Sequence, residues 1–312
     1  MIRALLPAGA RADLEGRLPE WLDTTWWADE AQLLELAPHA EIGWFDMHVK
    51  APALAAIARA DKLRWLSSAY AGVDWMPLAA LAERGVALSC GSGLAAGQVA
   101  EFAVMAMLAH SRGYRDIVRA QDRHEWLAAP PSAGALAGTS ALIIGYGAIG
   151  QAIAAMLAPF GVATTPVRSR AGDGALGPDE WRDRLGLFDW IVLTLPNTSE
   201  SAGMLGAAEF AAMKAEAVLV NFGRAEVLDQ PALVAALQSE RLGGAILDLT
   251  DPEPLPPDHP LWTCANTQIT MHLSGIPNQA SRRRAADRFL RNCALFRAGE
   301  PLEAQVDLLR GY

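Results

Sequence analysis

Residues 141–153 read ALIIGYGAIGQAI. An apolar run of strand length ends at Gly145, and a stretch of small and apolar residues with helical character begins at Ala148. Gly145, Gly147 and Gly150 fit G-x-G-x-x-G between a strand and a helix. In such a turn one glycine permits the tight bend, one lets backbone approach a pyrophosphate, and one lets the helix pack on the strand. The helix N-terminus then presents its free N–H groups to the phosphates. Gly145, Gly147, Ala148, Ile149 and Gly150 are therefore the first candidate cofactor contacts. An ordinary glycine-rich turn is the bland alternative, and the flanking strand and helix weigh against it.

The next strand, 162–167, leads into Arg168, Ser169 and Arg170. A unit selective for NAD places an acidic residue about 20 residues past the glycines, to hold the ribose 2′-hydroxyl. Here no carboxylate occurs before Asp173. Two guanidiniums and a hydroxyl suit a 2′-phosphate, which a carboxylate would repel. The expectation is NADP(H) in preference to NAD(H).

Working outward, strands are predicted at 140–144, 162–167, 189–195, 216–221, 244–249 and 267–270, with helices between them, one opening at an Asp229 N-cap. Residues 251–260 (DPEPLPPDHP) carry too many prolines for a helix or central strand and are predicted to be a rigid loop. Before the glycine turn the same alternation runs once already: strands at 2–7, 41–45, 63–69 and 86–90, helices at 28–37, 52–59 and 77–84. Strands alternating with helices mean parallel βαβ units. A long apolar helix is predicted from Gly97 through Val118, followed by an Ala-, Pro- and Gly-rich arm at 121–138. The last helix, 282–297, places Phe289, Cys293 and Phe296 on one face and is expected to return to the first domain. Its Arg282–Arg284 run reads as a solvated face rather than an anion site. The predicted fold class is α/β, with two Rossmann-like or flavodoxin-like domains of parallel sheet. The cofactor domain (99–282) is inserted into the substrate domain (1–98 and 283–312), leaving a cleft between them.

Composition narrows the partners. A net charge of −9 repels phosphate backbones, so no nucleic acid is expected. No apolar run approaches the roughly 18 residues of a membrane span, and the N-terminal MIRALLPAGA is interrupted too early for a signal peptide. Cys90, Cys264 and Cys293 have no metal-ligand spacing. No metal is expected, and free thiols point to a cytoplasmic location.

Three later segments carry chemistry: NFGRA (221–225), LDLTDPEPLP (247–256) and ITMHLSG (269–275). Each follows a predicted strand, where open α/β sheets bind ligands. Reduction of a 2-oxo acid needs a cation, an imidazole and a carboxylate. Arg224 can hold the substrate carboxylate and polarise its ketone. His272 can protonate the developing alkoxide as hydride arrives. Glu253 can pair with His272, orient it and raise its pKa. Singly, each is as well read as a structural histidine or a loop charge; their order and setting give them weight.

These motifs resemble the D-isomer-specific 2-hydroxyacid dehydrogenases, and within them the NADPH-preferring glyoxylate/hydroxypyruvate reductases. The likeness runs the full length, through DTTWWADEAQ (23–32), AGVD (71–74), VAEFAV (99–104), GYGAIG, LPNTSES (195–201), NFGRA, LDLTDPEPLPPDHPLW (247–262), ITMH (269–272) and QVDLLRGY (305–312). It implies that Arg224, Glu253 and His272 are the catalytic residues. It also implies that main-chain amides of Ala71, Gly72 and Val73 hold the substrate carboxylate. Asp248 would lie near the nicotinamide carboxamide, and Pro196 and residues 221–223, Phe222 among them, would contact the cofactor through backbone. The family's homodimeric habit makes the arm at 121–138, with Trp126, the expected subunit contact.

The chain departs from the family at Ala225 (usually Gly), Met271 (usually Pro), Thr250 (often Phe), Tyr70 and Cys90-Gly91. Tyr70, Phe45 and Met47 are candidate walls of the substrate pocket, with core packing as the alternative. Related formate dehydrogenases carry Gln where this chain has Glu253, which argues against formate oxidation. Phosphoglycerate dehydrogenases usually prefer NAD. Corepressors of the same fold sense nucleotides without needing turnover. The expected partner is a small 2-oxo or 2-hydroxy acid, or, if the pocket is reshaped, a bulkier one.

Overall fold

The computed structural model describes residues 1–311; Tyr312, the last residue of the QVDLLRGY motif, lies outside them. The chain divides into two compact units, Met1–Ala95 with Pro277–Tyr312, and Ala96–Ile276. The joints fall a few residues from the expected 98/99 and 282/283.

The first unit runs β1 (Ile2–Pro7), α1 (Arg11–Leu14), β2 (Leu22–Trp27), α2 (Glu30–Leu36), β3 (Ile42–Trp44), α3 (Lys50–Arg59), β4 (Trp65–Ser67), α4 (Leu78–Glu83) and β5 (Ala87–Ser89). Its sheet has the order β2-β1-β3-β4-β5, all parallel. Successive side chains point to opposite faces, and the two faces carry separate cores. Leu5, Leu66 and Leu88 join Leu33, Phe45 and Ile57 on one side. Ala4, Leu6 and Trp65 join Phe289 and Cys293 on the other.

The second unit opens with α5 (Ala96–Ser111) and α6 (Tyr114–Asp122). It continues β6 (Ser140–Ile144), α7 (Ala148–Leu157), β7 (Ala163–Val167), β8 (Trp190–Leu193), α8 (Ala207–Ala212), β9 (Val218–Asn221), α9 (Gln230–Gln238), β10 (Gly244–Leu247) and β11 (Thr267–Ile269). The sheet order is β11-β10-β9-β8-β6-β7, again all parallel. Beyond β7 a single parallel bridge joins Val167 and Leu176. Counting that bridge as a reduced strand gives the dinucleotide-binding order, in which chain direction across the sheet reverses between β6 and β8. The glycine turn leaves β6 at that switch point. Asp229 caps α9 as read from sequence, accepting from the Ala232 N–H.

The chain then re-enters the first unit as α10 (Gln279–Ala298). Phe289 stacks on Trp65 at 4.9 Å and on Trp44 at 5.8 Å, and Phe296 tilts onto Trp65 at 5.6 Å. Phe289 and Cys293 are 1% exposed; a buried aromatic of this kind is worth about 3–5 kcal/mol over alanine. Arg284 donates to the Leu94 carbonyl, so one member of the arginine run is structural. All three cysteines are free and buried, and burial pushes the Cys293 thiol up to about 12.

Three expectations need correction. The strand β2 was not foreseen: LDTTWW is an edge strand that pairs with β1 alone and buries only Leu22 and Trp27, so its alternation is weak. The long helix predicted from Gly97 breaks in two. Gly113 takes φ 61° with the Pro131 ring against it, and Ser132 Oγ donates to the Ser111 carbonyl, satisfying a helix end. Between β7 and β8 there is no α-helix but a 3-10 segment, Arg182–Leu187, because Gly172, Gly174, Gly177 and Pro178 interrupt any helical run. Among the described residues no helix is long and apolar enough to cross a membrane.

Candidate active site

All six strands of the second unit run the same way, so their carboxyl ends share one edge. Along it emerge the glycine turn from β6, Pro196 after β8, residues 221–224 from β9, Asp248 and Glu253 after β10, and His272 after β11.

The three glycines divide their work. Gly145 bends at φ 91° beneath Leu195 and Thr194. A Cβ on Gly150 would run into the Gly145 carbonyl, which also accepts from Thr194 Oγ1. Gly147 has an ordinary negative φ of −80°, and a Cβ there would meet nothing within 4 Å. Neither strain nor packing requires glycine at 147, and the space above its backbone is open to a ligand. Ala148 and Ile149 begin α7, whose first-turn N–H groups have no intrahelical acceptor. Arg168, Ser169 and Arg170 are exposed beyond β7. The Arg168 guanidinium lies 5.1 Å from the Tyr146 ring centre, and its backbone N–H is fixed on Leu176 O at 2.9 Å. A cradle open at Gly147, a free helix terminus and two exposed guanidiniums fit a dinucleotide carrying a 2′-phosphate.

Asn221 ends the buried strand VLVN and is fully buried. Its amide donates to Arg224 O at 2.8 Å and accepts from the Gly223 N–H at 3.0 Å. The turn that aims Arg224 is thus cinched from inside. Arg224 Nη1 also donates to Gly223 O at 2.9 Å. Phe222 is 3% exposed, so only its backbone faces the edge. Pro196 O accepts from Ser201 Oγ at 2.7 Å.

After β10, Asp248 is 2% exposed. Its carboxylate accepts from Thr270 Oγ1 and Ser274 Oγ, and its carbonyl accepts from the His272 N–H at 2.6 Å. Met271 and His272 both take φ 55°. Two consecutive left-handed non-glycine residues cost on the order of 1–3 kcal/mol each, and the bonds to Asp248 hold them there. A proline at 271, as the family usually has, could not adopt that φ.

His272 Nδ1 lies 2.9 Å from Glu253 Oε2, and Glu253 Oε1 accepts from the Thr250 N–H at 3.2 Å. Gln230 ties down the same proline-rich loop, donating to Asp251 O and accepting from the Asp251 N–H at 3.0 Å. The His272 pKa is raised, first by the hydrogen bond to Glu253; burial opposes this, the charges of Glu253 and Asp248 reinforce it, and the charge of Arg224 lowers it. All three predicted catalytic groups therefore share one electrostatic neighbourhood. With Nδ1 engaged, Nε2 is the nitrogen left for a substrate.

The other predicted substrate contacts lie in the first unit. Ala71 is exposed, Gly72 half-buried and Val73 buried. Among the described residues nothing accepts from the amides of these three. Tyr70 borders them, its hydroxyl donating to Met47 O at 3.2 Å. Phe45, 2% exposed with its ring over Gly43, is core in this unit. Sequence reasoning missed Asn221, Thr270, Ser274 and Gln230 as supports. A polar residue closing the apolar run VLV was the one available signal.

A family profile described as D-isomer specific 2-hydroxyacid dehydrogenase, NAD binding domain, matches residues 104–274. The chain belongs to the D-isomer-specific 2-hydroxyacid dehydrogenase family. The human glyoxylate reductase/hydroxypyruvate reductase is 30% identical to this dehydrogenase-family chain over 260 residues, 80% of this chain and 79% of the relative. A D-isomer-specific 2-hydroxyacid dehydrogenase family protein from Aeromonas salmonicida has a TM-score of 0.86 at 31% identity, covering 99% of this chain and 100% of that one. The NADPH-dependent glyoxylate/hydroxypyruvate reductase SmGhrA from Sinorhizobium meliloti, solved with NADP and sulfate, has a TM-score of 0.81 at 25% identity over the whole of both chains.

Proposed function

We propose that this dehydrogenase reduces small 2-oxo acids, glyoxylate and hydroxypyruvate foremost, to D-2-hydroxy acids, with NADP(H) preferred over NAD(H). The observation that carries the reading is the His272–Glu253 pair at 2.9 Å, within the field of Arg224, on the ligand-binding edge of a dinucleotide fold. When bound, the nicotinamide supplies a hydride to the carbonyl carbon. His272 Nε2 gives its proton to the carbonyl oxygen, and Glu253 keeps the imidazole charged and oriented. Arg224 polarises the carbonyl and pairs with the substrate carboxylate. In the first unit, the main-chain amides of Ala71, Gly72 and Val73 are the proposed contacts for a substrate carboxylate, with Tyr70 beside them in the chain. One hydride and one proton added across C=O give the hydroxy acid, and the proton on His272 is replaced from solvent.

For the cofactor, Gly147, Ala148 and Ile149 take the pyrophosphate, Pro196 and Phe222 contribute backbone, and Asp248 stands near the carboxamide. Arg168, Ser169 and Arg170 take the 2′-phosphate. Arg168→Ala with Arg170→Ala is expected to weaken NADPH binding by roughly tenfold or more and leave NADH nearly unchanged. Equal losses for both cofactors, in a fluorescence titration, would remove the preference. A second copy of the chain is proposed to cover the arm at 121–138, where Trp126 is 98% exposed beside exposed Ile117, Val118 and Leu127. Sedimentation of a monomer at micromolar concentration would contradict this. The reaction itself is tested by NADPH oxidation against glyoxylate, hydroxypyruvate, pyruvate and bulkier 2-oxo acids. Turnover confined to bulky acids would keep the chemistry and change the substrate; turnover of none would end the proposal.

A further inference from the structure

Beyond β3 lies a carboxylate that the proposed chemistry does not use. Asp46 Oδ2 accepts from the Ala69 N–H at 2.6 Å and from Trp44 Nε1 at 2.8 Å, and Oδ1 accepts from Ser68 Oγ at 2.8 Å. Among the described residues no cation pairs with it. Burial pushes the Asp46 carboxyl up to about 6, against the pull of the Ala69 N–H, Ser68 and Trp44. Asp46 is half-buried, and a carboxylate drawn partly out of water with no cation beside it is costly for the fold. Asparagine could keep its oxygen for the Ala69 and Trp44 N–H groups and turn its N–H₂ toward Ser68 Oγ, a hydroxyl that can also accept, so only truncation to alanine removes all three bonds.

What the three bonds restrain is a short piece of backbone. The Ser68 N–H donates to Ser89 O at 2.8 Å, and Ser68 Oγ accepts from the Tyr70 N–H at 3.1 Å. On the opposite side, the Gly91 N–H donates to Tyr70 O at 2.7 Å, and a Cβ on Gly91 would run into the Ala69 carbonyl. The glycine that looked out of place in sequence is the residue that lets this segment seat. Residues 68–70 are thus fastened on both sides, and directly after them come the three amides that no described residue accepts from.

We propose that Asp46 is a positioning residue for the substrate carboxylate, its clamp on Ser68 and Ala69 fixing where the Ala71, Gly72 and Val73 amides point. This rests on the reading above that these amides bind the carboxylate. The charge of Asp46 by itself repels an anion, so charge and clamp have opposite effects. If only charge mattered, Asp46→Ala would tighten substrate binding; if the clamp matters, it loosens it.

The test measures KM and kcat for glyoxylate at saturating NADPH, NADPH affinity by fluorescence, and binding of oxamate, an unreactive mimic, to the NADPH complex by calorimetry. Asp46→Ala is expected to raise KM and the oxamate Kd by about tenfold, with kcat and NADPH affinity held, the pattern of lost uniform binding. Ser68→Ala, which removes one of the three donors, shifts both in the same direction by a smaller factor and covers the case in which Asp46→Ala fails to fold. An unchanged or lowered KM in a folded, active variant overturns the proposal, as does a loss confined to thermal stability. A wild-type enzyme that reduces no 2-oxo acid would instead strike the underlying function, and that result is separable from an unchanged KM.

Discussion

His272→Asn is expected to lower kcat for 2-oxo acid reduction by about a hundred- to ten-thousand-fold while NADPH still binds. Asparagine can hydrogen-bond a carbonyl oxygen but cannot give it a proton. The pH profile makes the same point without a mutation. The hydrogen bond to Glu253 raises the His272 pKa above its ordinary 6.5, so the imidazole keeps its proton to higher pH than a free histidine does. Reduction needs the charged form. The rate of reduction is therefore expected to fall as pH rises through that raised pKa, while oxidation of the hydroxy acid, which needs neutral imidazole, rises over the same range. Glu253→Gln removes the charge that raises the pKa, so the alkaline fall moves to lower pH. A fall that stayed in place in Glu253→Gln would dissociate the pair seen at 2.9 Å from the titration.

Arg224→Gln is expected to cost about a hundred- to thousand-fold in kcat/KM, the usual loss of one preorganised donor to a developing oxyanion. Both kcat and KM should suffer if, as proposed, the guanidinium serves the carboxylate in the ground state and the carbonyl oxygen in the transition state. Arg224→Lys should recover little, since an ammonium lacks the fork that meets two oxygens at once. Loss of Arg224 also removes a charge that depresses the His272 pKa, so the alkaline limb should move to higher pH. A variant with wild-type kcat/KM would exclude Arg224 from the chemistry.

The glycine turn was legible because three residues at fixed spacing each answer to a different constraint: the structure has the bend at Gly145 and the close packing at Gly150, and it leaves Gly147 in open space. Both parallel sheets were legible because buried strands such as β6 and β8 are continuous apolar runs. β2 was not, since an edge strand buried at two positions leaves almost no pattern. The helix break at Gly113 was hidden because the partner that stabilises it, Pro131, is distant in sequence. The candidate catalytic side chains, Arg224, Glu253 and His272, could be proposed from strand ends and order. Their supports could not: Asn221, Gln230, Thr270 and Ser274 are ordinary polar residues until the fold brings them to the backbone of Arg224, the loop of Glu253 and the carboxylate of Asp248. Asp46 belongs to the same class, being separated from Ser68 and Ala69 by a whole βα unit.

The most direct measurement follows cofactor and product together. Purified enzyme is given NADPH and hydroxypyruvate, and NADPH consumed is compared with D-glycerate formed, for wild type and for His272→Asn. The expected result is one D-glycerate per NADPH in the wild type and almost none in the variant, with both proteins binding NADPH alike. NADPH bound by the wild type with no hydroxy acid formed from this or any other 2-oxo acid would contradict the assignment and leave a nucleotide-binding protein in its place.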